Sequence, residues 1–175
     1  EKFYGDAVTI PEEEKSVLGV QWSPKNDELI FSGEDVLKEA KLDEKTITKR
    51  KVLKTIASIF DPLGVLSPIV TSLKLIFQEL CKNEISWDEE LPHDILEKWK
   101  KQIENLLKLQ PIKIARNYLE QVDISDVESI ELHGFSDASK KAYAAVTYLR
   151  IELKNGHVFC KFVSSKSRIA PIKGM

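Results

Sequence analysis

Cysteine is scarce in this sequence. Two residues, Cys81 and Cys160, stand far apart among 175. One falls in a helical pattern and the other in a strand pattern. No Cys-x-x-Cys pair and no histidine spacing suited to zinc accompanies them, so nothing points to a zinc module. Reduced, buried thiols in an intracellular protein are the expectation. Long apolar runs are also missing, so no segment is expected to span a bilayer, and the acidic N-terminal stretch does not read as a secretory signal. Neither sign of charge dominates. The net charge of -2 excludes a global positive field that would draw the chain to nucleic acid. The chain has no initiator methionine and starts in mid-pattern at Glu1-Lys2-Phe3-Tyr4, so a fragment of something longer is expected.

What is present reads as an ordinary globular composition, 42% hydrophobic and 31% charged, with room for one or two domains. The charge is uneven. Lys45, Lys49, Arg50, Lys51 and Lys54 fall in a window without an acid, and so do Lys154, Lys161, Lys166, Arg168 and Lys173. Such local faces can hold phosphates even when the total charge is near zero. Solvated surface is the plainer reading of both.

Residues 1–44 form a connector and a small hairpin in this reading. Ser16 to Trp22 is one strand-like run, Ser23-Pro24-Lys25-Asn26-Asp27 a turn, and Glu28 to Phe31 a partner strand. Residues 45–117 read as a helical subdomain. A first helix is capped by Thr48 and shows an apolar face of Val52, Leu53, Ile56, Ala57, Ile59 and Phe60. Asp61-Pro62-Leu63-Gly64 stops it. Ser67 as N-cap and Pro68 open a second helix with a face of Ile69, Leu73, Ile76, Phe77 and Leu80. Pro92 starts a third, with Asp94 in its first turn and Leu96, Trp99, Ile103, Leu106 and Leu107 at helical spacing. Ile112 to Ala115 fits a short strand.

Residues 118–175 turn to β alternation. Tyr143, Ala145, Thr147, Leu149 and Ile151 point one way, and Ala144, Val146, Tyr148 and Arg150 the other. Asn155-Gly156 favours a two-residue type I′ hairpin into Val158 to Val163. With Ile130 to Ser136 in front, this makes three consecutive antiparallel strands. Without a covering helix they form an incomplete layer, as of a domain cut short. The fold class is therefore α+β: a short hairpin, three helices, then three antiparallel strands.

The chain is organised around Glu131 to Ser139. Ile130, Leu132 and Phe135 fit a short buried strand, and Gly134 permits a kink or a close approach. Asp137 stands where that strand runs out. A carboxylate at the end of a rigid strand is well placed to hold a divalent metal. Taken alone, an Asp before Ala-Ser is more readily a turn former, bonding its own backbone two residues on. Trp22 and Trp87 fall near element ends, where packing is the plainer role and base stacking the alternative.

Several runs coincide with one family. Val17 to Trp22, Thr48-Lys49-Arg50, Ile56 to Pro68, Trp87-Asp88, Leu91-Pro92, Leu132 to Ser139 and Ala170-Pro171 come in the order of the Pol polyprotein of Pao/BEL-class LTR retrotransposons, which the chain resembles over most of its length. The resemblance implies the end of a reverse transcriptase running into a ribonuclease H domain. The helical part would then be a thumb and connection, and the strands the front of a truncated ribonuclease H-like fold. Asp137 matches that family's first metal-ligating acid. The implied chemistry is two-metal, Mg²⁺-dependent hydrolysis of the RNA strand of a hybrid in the intact parent, one metal generating hydroxide and the other stabilising the leaving oxygen. The remaining family acids come later, so the site expected in this chain is incomplete. The family usually has Gly where this sequence has Ala144.

The implied partners are an RNA/DNA hybrid or primer–template and the remainder of Pol, with no membrane, inside the cell in a cytoplasmic particle or the nucleus. Lys49, Arg50, Lys51, Lys166 and Arg168 are the candidate phosphate contacts, on charge alone. The segment is often labelled a peptidase in that family. No Asp-Thr-Gly or Asp-Ser-Gly occurs here, since Asp61 is followed by Pro-Leu-Gly and Asp137 by Ala-Ser. Peptidase chemistry and a non-catalytic nucleic-acid- or protein-binding remnant are the alternatives.

Overall fold

The computed structural model describes residues 15–17 (backbone only), 20–33, 46–120 and 122–172. Within them the chain is α+β, with three α-helices and two antiparallel sheets. No described helix is long and apolar enough to cross a membrane.

The N-terminal run is two strands, not one. β1 (Lys15–Val17) and β2 (Val20–Ser23) pair antiparallel with Val17 opposite Val20, and β2 pairs with β3 (Glu28–Phe31) across the turn at Pro24 to Asp27. A hairpin alone is marginal in water. It is completed here by β4 (Ile112–Ala115), which pairs with β3 and places Phe31 opposite Ile112. Val20, Phe31 and Leu66 form the buried centre beneath this sheet.

α1 (Lys49–Ser58), α2 (Ser67–Lys82) and α3 (His93–Leu107) share one core. Val52, Leu73, Leu80, Ile95, Trp99 and Leu106 are buried in it, each apolar side chain stabilising by about 1.5–3 kcal/mol. Thr48 caps α1 by accepting from the Lys51 amide. The α1 face is narrower than the sequence suggests. Leu53 and Phe60 are exposed and Thr55 is buried in their stead. On α3, Ile95 is buried and Leu107 exposed. Ser67 is the first residue of α2 and makes no side-chain cap.

β5 (Val127–Ala138), β6 (Ala142–Leu153) and β7 (Val158–Ile169) form the second sheet, in that order. The β6–β7 turn is not type I′. The Gly156 amide donates to the Leu153 carbonyl, the Leu153 amide to His157, and Gly156 alone of the turn has positive φ, at +83°. This is a type I turn closed by a glycine bulge, the usual three-residue alternative. The apolar residues of β5 are not buried. Leu132 is 66% and Phe135 58% exposed, with Ile130 also exposed: no described element covers Leu132 and Ile130, and Phe135 opens onto a cleft on the other face. Gly134 is not held by a close approach either, since a Cβ there would come no nearer than 4.0 Å to Thr147.

Candidate nucleic-acid interface

Strand register sorts the site residues between the two faces of the second sheet. Asp137 is opposite Ala144, and Ala144 opposite Ser167. The flanking rows are Ser136, Ala145 and Lys166, then Ala138, Tyr143 and Arg168. Successive side chains alternate across a sheet. Asp137 therefore shares a face with Phe135, Val146, Tyr148, Ser165 and Ser167. Lys166 and Arg168 share the other with Tyr143. The carboxylate and the two cations therefore lie back to back.

The Asp137 face looks toward the helices. Phe135, Tyr148 and Phe162 run across it edge to face, with ring centroids 6.2 and 5.9 Å apart. They line one side of a cleft of about 920 Å³ whose other walls are the start of α2 and the β4 backbone, with Asp137 among the lining residues. Farther down the same face, Glu131 accepts from His133 at 2.8 Å and lies 3.6 Å from Arg150, which pairs with Glu152 at 2.9 Å.

Asp137 is not the turn former. The turn after β5 is tied by Ser139, whose Oγ accepts from the Lys141 and Ala142 amides at 3.2 Å each. The Asp137 carboxylate is exposed and has no hydrogen-bond or ion-pair partner among the described residues. That leaves it available to a ligand. Magnesium prefers several carboxylates or phosphates. Among the described residues no three His, Cys, Asp or Glu side chains come together. One carboxylate does not make that donor set, so the described residues do not hold magnesium by themselves.

The cations of α1 are engaged inside the protein. Lys49 donates to the Ile85 carbonyl at 3.0 Å and sits 5.1 Å from the Trp87 ring centroid. Arg50 holds both oxygens of Asp88, at 2.8 and 3.0 Å, and lies 5.8 Å from the same ring. Lys51 donates to the Thr46 carbonyl. The three are gathered at the N-terminus of α1, where they fasten the 85–88 loop and the preceding segment. A phosphate would compete with these contacts.

Asp61, the other carboxylate weighed for peptidase chemistry, ties the turn that leads into α2. Its Oδ1 accepts from the Val65 amide and its Oδ2 from Leu66, both at 2.8 Å. Burial pushes its carboxyl above the usual range, against the pull of the Leu66, Val65 and Gly64 amides. Both oxygens of this group are thus already occupied by backbone donors.

The Asp61–Gly64 turn also carries the joint between the helices and the second sheet. The Ser165 amide donates to Leu63 at 2.7 Å, and its hydroxyl donates to the Gly64 carbonyl at 2.6 Å. Thr71 and Ser167 hydroxyls meet at 2.6 Å, and Gln78 donates to the Ala170 carbonyl at 2.6 Å. Sequence reasoning gave Thr71, Gln78, Ser165 and Ser167 no role, and no local pattern marks them. It also passed over Tyr143, whose alternation placed it on a face but whose neighbour Arg168 emerges only from the register.

A family model described as the Pao retrotransposon-like RNaseH-like domain matches residues 48–175. No curated protein is similar enough to match. The matched span opens at the cap of α1 and takes in the joint, the cleft and all three strands of the second sheet. The chain therefore belongs to the Pao retrotransposon-like RNaseH-like domain family, the kinship its motifs suggested.

Proposed function

We propose that this chain handles nucleic acid within a Pao-type Pol polyprotein, in a cytoplasmic particle or the nucleus. In this reading residues 45–117 act as a connection that steadies a primer–template or RNA/DNA hybrid, and residues 118–175 present the strand bearing the first acid of the cleavage site. The observation that supports it is Asp137: an exposed, unbonded carboxylate at the end of β5 in a chain of this family. Its role is to contribute one ligand to a magnesium site whose other carboxylates lie beyond the described residues. When bound, the metal would supply Lewis-acid assistance to phosphodiester hydrolysis. Lys49, Arg50, Lys51, Lys166 and Arg168 are the proposed backbone contacts, sequence-independent and weakened by salt. For the first three, phosphate would replace the loop partners described above.

The test is cleavage of a labelled RNA–DNA hybrid by the parent Pol protein with magnesium, beside an Asp137→Asn version. Loss of about 100-fold or more in rate is expected, as follows from removing a metal ligand that contributes several kcal/mol in the transition state. A folded parent that binds the hybrid and cuts it equally well with either residue sinks the role of Asp137. One that binds without cutting assigns the element to binding alone.

A further inference from the structure

We infer that the face of the second sheet turned away from Asp137 carries a separate groove for single-stranded nucleic acid, with Tyr143 as the stacking platform and Lys166 and Arg168 as the phosphate contacts. The inference rests on the nucleic-acid reading above and deepens it, giving its Lys166 and Arg168 contacts a single-stranded occupant.

The groove measures about 590 Å³ and is framed by Ser136, Ala138, Tyr143, Ala145, Lys166 and Arg168. Its floor is built from small side chains, so a flat ring can lie low on the sheet beside Tyr143. Tyr143 is half exposed and sits directly across from Arg168. Lys166 and Arg168 are two residues apart on β7, about 7 Å along the strand and on one face.

Charge sets Arg168 apart from the other arginines. Arg50, Arg116 and Arg150 each hold a carboxylate, namely Asp88, Asp27 and Glu152. Arg168 is the one arginine of the sequence with no carboxylate partner among the described residues, and Lys166 has none either. The one acid that borders the groove, Asp137, belongs by alternation to the other face. Two unpaired cations beside an exposed aromatic ring fit a chain of phosphates carrying bases. Stacking on Tyr143 needs a base without a pairing partner, which selects a single strand over a duplex.

The experiment is fluorescence anisotropy of this chain with a labelled single-stranded oligonucleotide of about 12 nucleotides, within the range one small module covers. It is done in EDTA, so a metal site plays no part. Tyr143→Ala is expected to weaken binding about 5- to 150-fold, the cost of losing one stacked base. An abasic strand of equal length should bind the unaltered chain as weakly as the full strand binds Tyr143→Ala. Changing Lys166 and Arg168 together to Gln should flatten the dependence of log K on log salt by about 1.4. Tyr143 is half exposed, so its variant should unfold at the same urea concentration as the parent chain.

Equal binding of the full and abasic strands, or no loss in Tyr143→Ala, overturns the groove and leaves a plain anionic-ligand surface. Tighter binding of a phosphopeptide than of the oligonucleotide overturns it in favour of a protein partner. A chain that binds an RNA–DNA hybrid but no single strand loses the groove and keeps the broader reading. A chain that binds neither loses both.

Discussion

Asp61 ties the turn that leads into α2, taking two amides just ahead of the helix. A helix start has several N–H groups without intrahelical partners, and the usual remedy is a Ser, Thr, Asp or Asn at the N-cap position. At α2 the N-cap is Leu66, whose side chain has no acceptor to offer. The Ser67 amide goes to the Gly64 carbonyl and the Ile69 amide to Leu66, while the Asp61 carboxylate holds the Val65 and Leu66 amides of the turn just before the helix. Asp61→Ala should lower the unfolding free energy by about 1–3 kcal/mol, since it strands two donors at a half-buried site. Asp61→Asn keeps one acceptor and should fall between the two. Urea melts of the three proteins decide it, and a melt of Asp61→Ala that matches the parent rejects the turn-holding role. The pH dependence has a definite sign. Burial raises the folded carboxyl above its unfolded value, so the folded state keeps its proton to higher pH. Stability then falls as pH rises from the unfolded value through the folded one, and Asp61→Asn lacks that slope. The same carboxylate shows why residue-level motifs mislead. Asp-Pro-Leu-Gly in the sequence offers an acid with no visible partner, and only the folded turn shows both oxygens occupied.

Among the elements, the β2–β3 turn is held by one acid with three attachments. Asp27 has φ +52°, accepts from Trp22 Nε1 at 2.9 Å and from Arg116 Nε at 2.6 Å, and its carbonyl accepts the Arg116 amide at 2.9 Å. The Arg116 guanidinium also lies 5.6 Å from the Trp22 ring centroid, so this tryptophan is part of the clamp. The hydrogen bond from Arg116 is the first cause holding the Asp27 carboxyl below its usual range. Its stabilising share is therefore present above the unfolded value and is lost as pH falls through the depressed folded one. An NMR titration of Asp27 should show the low midpoint in the parent chain and a return to the ordinary value in Arg116→Ala. Equal midpoints would remove the clamp. The elements themselves were largely legible. A 3.6-residue period located all three helices, and strict alternation assigned the faces of β6, because each pattern is a direct consequence of one buried side. Legibility failed where burial depends on distant partners. Leu53, Phe60 and Leu132 are apolar and fit the period, yet each is exposed because nothing described lies over it, and Phe135 is exposed because it opens onto the cleft. The Ser16–Trp22 run reads as continuous in sequence because the pairing of Val17 with Val20 leaves no mark in an apolar stretch. At the site, alternation already implied that Asp137 and Arg168 occupy particular faces, but that the faces are opposite follows from register, which the sequence does not state.

At the scale of the whole molecule, the question is what fixes the helices against the second sheet. The contacts are few and polar: Ser165 on Leu63 and Gly64, Thr71 on Ser167, Gln78 on Ala170. All reach across roughly a hundred residues of chain, so no local pattern announces them, although the most family-specific run of the sequence supplies one side. Gly64 is the tightest point. Its φ is +79°, and a Cβ there would fall 2.0 Å from the Ser165 carbonyl oxygen. Gly64→Ala should therefore do two things. The left-handed backbone conformation alone should cost about 1–2 kcal/mol. The overlap with Ser165 should force β7 off α2 and open the cleft that Asp137 borders. Gly156→Ala separates the two effects, because Gly156 has φ +83° with open space around it and so carries only the conformational cost. Calorimetry of the parent chain and of Gly156→Ala should give one transition each, and Gly64→Ala two, as a sheet no longer coupled to the helices melts apart from them. Small-angle scattering should show a larger radius of gyration for Gly64→Ala alone. If both alanine variants behave alike, the joint contributes nothing beyond a strained turn, and the cleft is set by some other contact between α2 and the sheet.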